Sequence, residues 1–471
     1  MFPEHDTDRE NHHGSFTMHI IIAGAGELGQ LLAEKLAVNK HDVFLIDSSN
    51  EALSHIADSL EVKLLEGSCI DLSTLEKAQV RQADILLAVS GDDAANVLAC
   101  QIASKLGVSQ TVCRLNSVDF FSQEDNLSPE SFGIWKYVSP PEECARKITA
   151  ILEDRYLLEE IRFSHPDAVM RVFEISRSSQ LAGAQVKSLQ VSSELRESIR
   201  FAAILRGKQF VIPNGDTIFV PGDKVYIAGT SENVRKFISW ASSDQVTPRT
   251  SRIVIAGSSD ICILLGQALC REGYDVRFII RSKHDSDKIF DAIDSDSMVI
   301  EGNPTDEDIL RETGVDSCDA FISAGGDDEE SILSCVIAKQ LGARKTISVT
   351  TKPEYIRIVP LMDWIDCGIS SSLVAVNAVL RMLETGTMRV DAYLQQYHAQ
   401  LTEFRISNSS PLCGRSLATC KLPVSTLFAL LFRDREVISP SGSTIFRPGD
   451  IVVSIVTEES KDELAPLFPD R

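Results

Sequence analysis

A short apolar strand that stops at a glycine and turns at once into a helix is written twice in this chain. The doubling constrains the fold more than either copy alone. The first copy, HIIIAGAGELGQLLAEKL, starts at His19 and its unit runs on to DVFLIDSS; the second, RIVIAGSSDICILLGQAL, starts at Arg252 and runs on to DVRFIIRS. Gly24 matches Gly257 at an offset of 257 − 24 = 233, and Asp42 matches Asp275 at the same 233. Residues 83–107, ADILLAVSGDDAANVLACQIASKLG, recur as CDAFISAGGDDEESILSCVIAKQLG at 318–342, an offset of 342 − 107 = 235. Asp92 and Asp93 thereby match Asp327 and Asp328, and Cys100 matches Cys335. A second kind of unit follows each first: GDTIFVPGDK at 215–224 reappears as GSTIFRPGDI at 442–451, an offset of 442 − 215 = 227. The order A-B-A′-B′ is a duplicated two-domain module.

Each A unit has the grammar of a nucleotide fold. The run from His19 to Ala23 must stop at Gly24, and a helix over 28–36 follows directly. Gly24 permits the tight turn, Gly26 lacks the Cβ that would block a pyrophosphate, and Gly29 lets helix and strand pack closely. The free N–H groups and positive dipole end of that helix face the phosphates. A second strand over 42–46 ends in Asp47, 47 − 26 = 21 residues after the middle glycine. A carboxylate there accepts hydrogen bonds from ribose hydroxyls and favours NAD over NADP, unless Asp47 merely caps the helix that follows. Ser90 and Gly91, after a strand over 85–89, fall beside ribose and phosphates in the same crevice, as does the loop Glu66 to Cys69. Arg114, after a strand over 111–113, has two readings, a phosphate contact or a pair with a surface carboxylate.

The B units read as short strands joined by turns (MRVFEIS, FAAILR, QFVIP, TIFVPGDKVYIAG) and closed by a helix over 232–241. Their PGD turns read as hairpin corners, with no ligand or catalytic cluster. Between A and B lie apolar-periodic segments, with Ile148, Ile151, Leu152 and Tyr156 on one face and Leu373, Val376, Val379, Leu380 and Leu383 on the other copy's. Such helices pack either on their own domain or on the other module. The expected architecture is α/β: two Rossmann-like doubly wound parallel-sheet domains, each followed by a small α+β domain. The expected divisions are a tail over 1–17, a first nucleotide domain over 18–139, a connecting helix over 140–159 and a first C-terminal domain over 160–244. A second nucleotide domain over 251–369, a connecting helix over 370–388 and a second C-terminal domain over 389–471 follow. The polar tail, which contains His12 and His13, reads as disordered or as upstream of a true start at Met18.

Composition excludes whole classes. Lys plus Arg number 46 against 68 Asp plus Glu, a net charge of −22, which repels phosphate backbones and argues against nucleic acid. The eleven cysteines include no CxxC and read as reduced, buried residues of a cytoplasmic protein. No apolar run approaches the ~20 residues that span a bilayer.

Taken together, these residues resemble the RCK family, regulators of potassium conductance, in the tandem form found as peripheral subunits of Trk-type potassium uptake systems. HIIIAGAGELG, the strand-terminal Asp47, DILLAVSGDDAANVLACQIA and the TIFVPGD and TIFRPGD signatures carry the resemblance from Met18 onward. It implies NAD or NADH as ligand, with ATP or ADP at the same site, held at Gly24, Ala25, Gly26, Glu27, Leu28, Asp47, Ser90, Gly91 and Arg114. It also implies a cytoplasmic homo-oligomer, a tetrameric ring on the inner face of the plasma membrane. Its partner would be a membrane potassium translocator of the TrkH/TrkG type, gated by the ring's change of shape. In the second copy Ser259 replaces Gly26, Cys262 replaces Gly29 and Ile280 replaces Asp47, the mark of a structural half, although Arg277 and Arg281 leave room for another nucleotide. The competing class is an NAD-dependent oxidoreductase. It lacks a repeated acid–base group here, since His41, His55, His165, His284 and His398 are scattered and none recurs between the halves.

Overall fold

The computed structural model describes residues 17–38, 41–54, 56, 61–117, 121, 128–152, 157–207, 209–242, 251–293, 297–352, 354–359, 362, 364–383, 388–394, 399–423, 426–457 and 463–469, without the side chains of 356, 357, 388–394, 399, 400, 457 and 465. Tyr156, His55, His398 and all but the last residue of the expected tail lie outside these.

The first unit alternates strand and helix: β1 (His19–Ala23), α1 (Glu27–Val38), β2 (Asp42–Asp47), α2 (Asn50–Ser54), β3 (Lys63–Glu66), α3 (Leu72–Lys77), β4 (Ile85–Ala88), α4 (Asp93–Lys105), β5 (Gln110–Arg114), β6 (Lys136–Val138) and α5 (Pro140–Leu152). Its strands form one parallel sheet in the order β3-β2-β1-β4-β5-β6. The runs are apolar throughout because both faces are covered by helices; Ile20, Ile21 and Ile22 are all fully buried.

A small antiparallel unit follows, made of β7 (Leu157–Arg162), β8 (Ala168–Glu174), α6 (Ser193–Ser198), β9 (Ile199–Arg206), β10 (Gln209–Val211), β11 (Lys224–Thr230) and α7 (Ser231–Ser242), ordered β10-β9-β11-β8-β7. Two details differ from the expectation. The first connecting helix is described to Leu152 and Leu157 already opens β7, so the expected helical span to 159 is too long; the second, expected over 370–388, closes at Met382 with Leu383 as its C-cap, and Met388 opens a strand. Residues 217–220, expected as strand, make only one bridge, from Ile218 to Gln185, while Pro221 and Gly222 form the expected turn directly before β11.

The second half repeats both units: β12 (Arg252–Ala256), α8 (Asp260–Arg271), β13 (Asp275–Ile280), α9 (Lys283–Ala292), β14 (Met298–Glu301), α10 (Glu307–Glu312), β15 (Ala320–Ser323), α11 (Asp328–Leu341), β16 (Thr346–Thr350), α12 (Glu354–Ile358), β17 (Cys367–Ser370) and α13 (Ser371–Met382). Then come β18 (Met388–Leu394), β19 (Ala399–Arg405), β20 (Thr426–Arg433), β21 (Glu436–Ile438) and β22 (Ile451–Thr457). The sheet orders are β14-β13-β12-β15-β16-β17, parallel, and β18-β19-β22-β20-β21, antiparallel. Even the register repeats: His19 lies opposite Asp42, and Arg252 opposite Asp275.

The two connecting helices settle how the halves join. Cys144, Ala145, Ile148 and Ile151 of α5 are buried in one cluster with Cys262, Leu265 and Leu269 of α8, in the second half. Reciprocally, Ala375, Val376, Val379 and Leu380 of α13 are buried with Leu28, Leu32 and Leu36 of α1, in the first. Each helix has crossed to the opposite nucleotide unit. Burying such side chains contributes roughly 1.5–3 kcal/mol each, which commits the stripes to a partner. The crossed ends are held as well. The Lys345 ammonium donates to the Ile151 and Leu157 carbonyls at 3.2 and 2.9 Å, and the Lys136 ammonium to the Met382 carbonyl at 3.3 Å, placing cations at helix C-termini. The small sheets pack on each other too, with Met170, Ala203 and Tyr226 in one cluster with Leu401, Leu430 and Val453.

Candidate functional site

Strands β1 and β4 lie side by side at the centre of the first sheet, where the connections leave in opposite directions and a crevice opens at the carboxyl ends. Gly24 forms its floor at φ +113°, and a Cβ there would come within 2.7 Å of the Ser90 amide nitrogen and Cα. A Cβ on Gly29 would meet the Gly24 carbonyl oxygen at 1.8 Å, so α1 can approach the turn this closely only with glycine there. Gly26 is different: a Cβ would find nothing within 4 Å. Its bare backbone faces open space at the start of α1, the geometry needed for a diphosphate to rest on free N–H groups.

Asp47 ends β2 beside this turn. One carboxylate oxygen accepts the Ala25 N–H at 2.6 Å and the other the Ser49 N–H at 2.8 Å. The Ser49 hydroxyl, accepting the Ala52 N–H at 3.3 Å, caps α2, so capping is not the work of Asp47. The carboxylate instead holds the glycine turn in place, and each oxygen keeps acceptor capacity for a second donor.

Ser90 and Gly91 sit at the end of β4, and the residue that fixes them is one the sequence reading missed. Asn96, fully buried in the first turns of α4, accepts from the Ser90 amide at 2.9 Å and the Ser90 hydroxyl at 2.7 Å. Its amide donates to the Ser90 and Arg114 carbonyls, both at 3.0 Å. A lone asparagine on the apolar face of a helical run was the available signal. Arg114 closes the far side. Its end nitrogens reach the Ser90 carbonyl at 3.4 Å and Asn116 Oδ1 at 3.2 Å, while its Nε is buried without a partner. Burial pulls its pKa down, with Asp93 opposing. Among the described residues no carboxylate pairs with it. A half-buried cation with an unfilled donor at the crevice wall suits an anion.

A TrkA-N domain model matches residues 20–140 and again 253–364, and a TrkA-C domain model matches 170–242 and 401–468. The chain belongs to the TrkA-N/TrkA-C family. Among its TrkA relatives, the Trk system potassium uptake protein TrkA homolog 1 of Methanosarcina mazei is 28% identical over 459 residues, covering 96% of this chain and 100% of the relative. The TrkA of Vibrio alginolyticus is 25% identical over 457 residues, covering 96% and 98%. The RCK domain of GsuK has the same fold, with a TM-score of 0.59 at 17% identity over 97% of this chain and 98% of its own. So does the GsuK channel bound to NAD, at 0.59 and 16% over 98% and 81%.

The second TrkA-N unit keeps the floor and changes the residues around it. Gly257 repeats the close approach at φ +119°. The Ser259 hydroxyl, however, donates to the Ala324 carbonyl at 2.7 Å across the switch point, and the buried Cys262 thiol points to the same carbonyl at 3.5 Å. Ile280, 1% exposed, presents hydrocarbon where Asp47 presents a carboxylate. Ser331 takes the place of Asn96 (96 + 235 = 331), and its buried hydroxyl finds no partner among the described residues. Both arginines that might have drawn a phosphate are engaged, Arg277 with Asp275 at 3.3 Å and Arg281 with Glu330 at 2.7 Å. Among the described residues of this TrkA-type chain, no cluster of three or more His, Cys, Asp or Glu could hold a metal, and no helix is long and apolar enough to cross a membrane.

Proposed function

We propose that the chain is a nucleotide-sensing regulatory subunit that gates a membrane potassium translocator. Binding of NAD or NADH, in competition with ADP or ATP, in the Gly24–Gly29 crevice shifts the equilibrium between two shapes of an oligomeric ring. The observation that carries this reading is the asymmetry of the two TrkA-N units: one crevice open at Gly26 and furnished with Asp47 and Arg114, the other with Ser259, Cys262 and Ile280 in the places of Gly26, Gly29 and Asp47. The Trk potassium-uptake names of the curated relatives and the NAD-bound GsuK channel support the ligand and the setting. In this reading the pore belongs to a separate translocator of the TrkH/TrkG type, and the subunit works from the cytoplasmic face. The reading includes self-association into a tetrameric ring, and Leu98 on α4 and Leu333 on α11, 41% and 51% exposed at matching places in the two halves, are positions at which to test it.

Calorimetric titration with NAD, NADH, ADP and ATP tests the ligand, and Asp47→Ala tests the site. Removing that carboxylate forfeits its bonds to the ribose, at most roughly 1.5–3 kcal/mol each, and frees the Ala25 amide that holds the turn. A drop of at least about tenfold in affinity is expected. Unchanged NAD affinity in Asp47→Ala would remove the assignment.

The same geometry predicts no nicotinamide turnover. No described histidine enters the first crevice: His19 and His41 lie at the amino-terminal ends of the strands. The half-buried Cys69 thiol is pushed up by burial, away from thiolate chemistry. Steady NADH consumption with a simple metabolite, lost on one side-chain substitution, would favour a dehydrogenase instead.

A further inference from the structure

We propose that Lys352, from the second half of the chain, completes the nucleotide site of the first half by meeting the phosphates of the bound nucleotide. The proposal rests on reading the Gly24–Gly29 crevice as that site.

The crossed helix brings the two together. α13 lies on α1, and the start of α13 is tied to the end of β16: Ser370 and Ser372 donate to the Thr351 carbonyl at 3.4 and 3.0 Å, and Ser371 to the Thr350 carbonyl at 3.4 Å. Asp328 then fixes the next two residues, accepting the Thr351 and Lys352 amides at 2.8 and 2.9 Å. The loop that carries Lys352 is thus seated beside the helix whose first turn bears Gly26 and Glu27. The electrostatics report the same proximity. Glu27, the opening residue of α1, has its pKa raised by burial and then by Glu354, with Lys352 pulling it down and Asp328 pushing it up.

Lys352 is available for a ligand. Its side chain is 56% exposed, and its ammonium makes a long, solvent-exposed ion pair with Glu329 at 3.9 Å, a contact worth little that a phosphate can replace. The rim around it is otherwise acidic, with Asp328, Glu329 and Glu354, and would repel phosphates if no cation stood there.

The repeat provides an internal control. In the first half Asp93 accepts the Asn116 and Ser117 amides at 2.8 and 3.3 Å, as Asp328 does with Thr351 and Lys352, so Ser117 holds the place of Lys352 (117 + 235 = 352). The duplicated loop carries its lysine in the half that packs against the intact glycine motif. The other copy carries a hydroxyl.

Titration of the full chain with NAD, for native protein and for Lys352→Gln, Lys352→Glu, Lys352→Arg and Glu354→Gln, tests this. Loss of a charge-assisted phosphate contact is expected to weaken NAD by about tenfold in Lys352→Gln and more in Lys352→Glu. Lys352→Arg should stay near native affinity, and Glu354→Gln, which removes a facing negative charge, should bind more tightly. Native-state hydrogen exchange of β15 and β16 without nucleotide should be the same in all five proteins, which separates a contact from a folding defect. Native NAD affinity in both Lys352→Gln and Lys352→Glu overturns the proposal alone. A native protein that binds no adenine nucleotide overturns the site reading and this proposal with it.

Discussion

Gly26→Asp is expected to abolish NAD binding while leaving the fold intact. A Cβ at Gly26 meets no described protein atom within 4 Å, so the fold has room for the substitution. The same space is where a diphosphate reaches the amides of α1, and a carboxylate there brings both bulk and like charge. A loss beyond about a thousandfold, roughly 4 kcal/mol, is expected. Gly24 and Gly29 would make poorer tests, since a Cβ at either drives into backbone atoms at 2.7 and 1.8 Å and would disturb the sheet itself. Native protein should bind one equivalent per chain, because Ser259 puts a side chain where Gly26 leaves the backbone bare and Ile280 leaves ribose hydroxyls without partners, about 1–3 kcal/mol per group. Calorimetry on Gly26→Asp therefore reports on both halves. A full equivalent bound with native affinity would mean that the second half is a working site.

Much of this was legible from the residues. Continuous apolar strands punctuated by glycine and charge announce a parallel sheet covered on both faces, and the duplication fixes where each element recurs. The glycine spacing and the strand-terminal Asp47 mark the crevice because each answers a local steric or hydrogen-bonding need. What escaped is what depends on distant residues. The stripes of α5 and α13 were visible as apolar faces, but a stripe does not name the surface it covers, and only the structure shows them crossed. Asn96 escaped for the same reason: its four hydrogen bonds join the end of β4 to the end of β5, a relation no window of sequence contains. That Leu157 already belongs to β7, where a helix to 159 was expected, reflects an apolar period that continues from the helix into the strand. Arg277 and Arg281, free as letters, are spent on Asp275 and Glu330 in the fold.

The PGD turn was read as a corner, and the structure shows why it should tolerate change badly. Asp223, 1% exposed, accepts from Nε and Nη2 of Arg206, each at 2.8 Å, and from the Val220 amide at 2.9 Å. Asp450 in the other copy repeats this with Arg433 at 2.8 and 2.7 Å and the Arg447 amide at 2.8 Å. Two independent turns with the same three bonds mark a shared structural solution: a buried carboxylate ties the turn back onto β9, or onto β20. Asp223→Ala removes all three bonds and leaves the Val220 amide without its acceptor. Breaking a buried pair from one side costs about 3–5 kcal/mol when the orphaned charge stays buried. Arg206 is 42% exposed and can turn to water, which brings the expected loss to about 2–4 kcal/mol. Four separate units make a single global transition a poor readout, so native-state hydrogen exchange of β9 and β11 is the measurement to use. Protection there should fall with Asp223→Ala, and that of β20 and β22 with Asp450→Ala. Because Arg206 acts through the same bonds, Asp223→Ala combined with Arg206→Met should cost less than the two changes summed. Exchange in β9 and β11 unchanged by Asp223→Ala would show that the turn is held by its backbone alone.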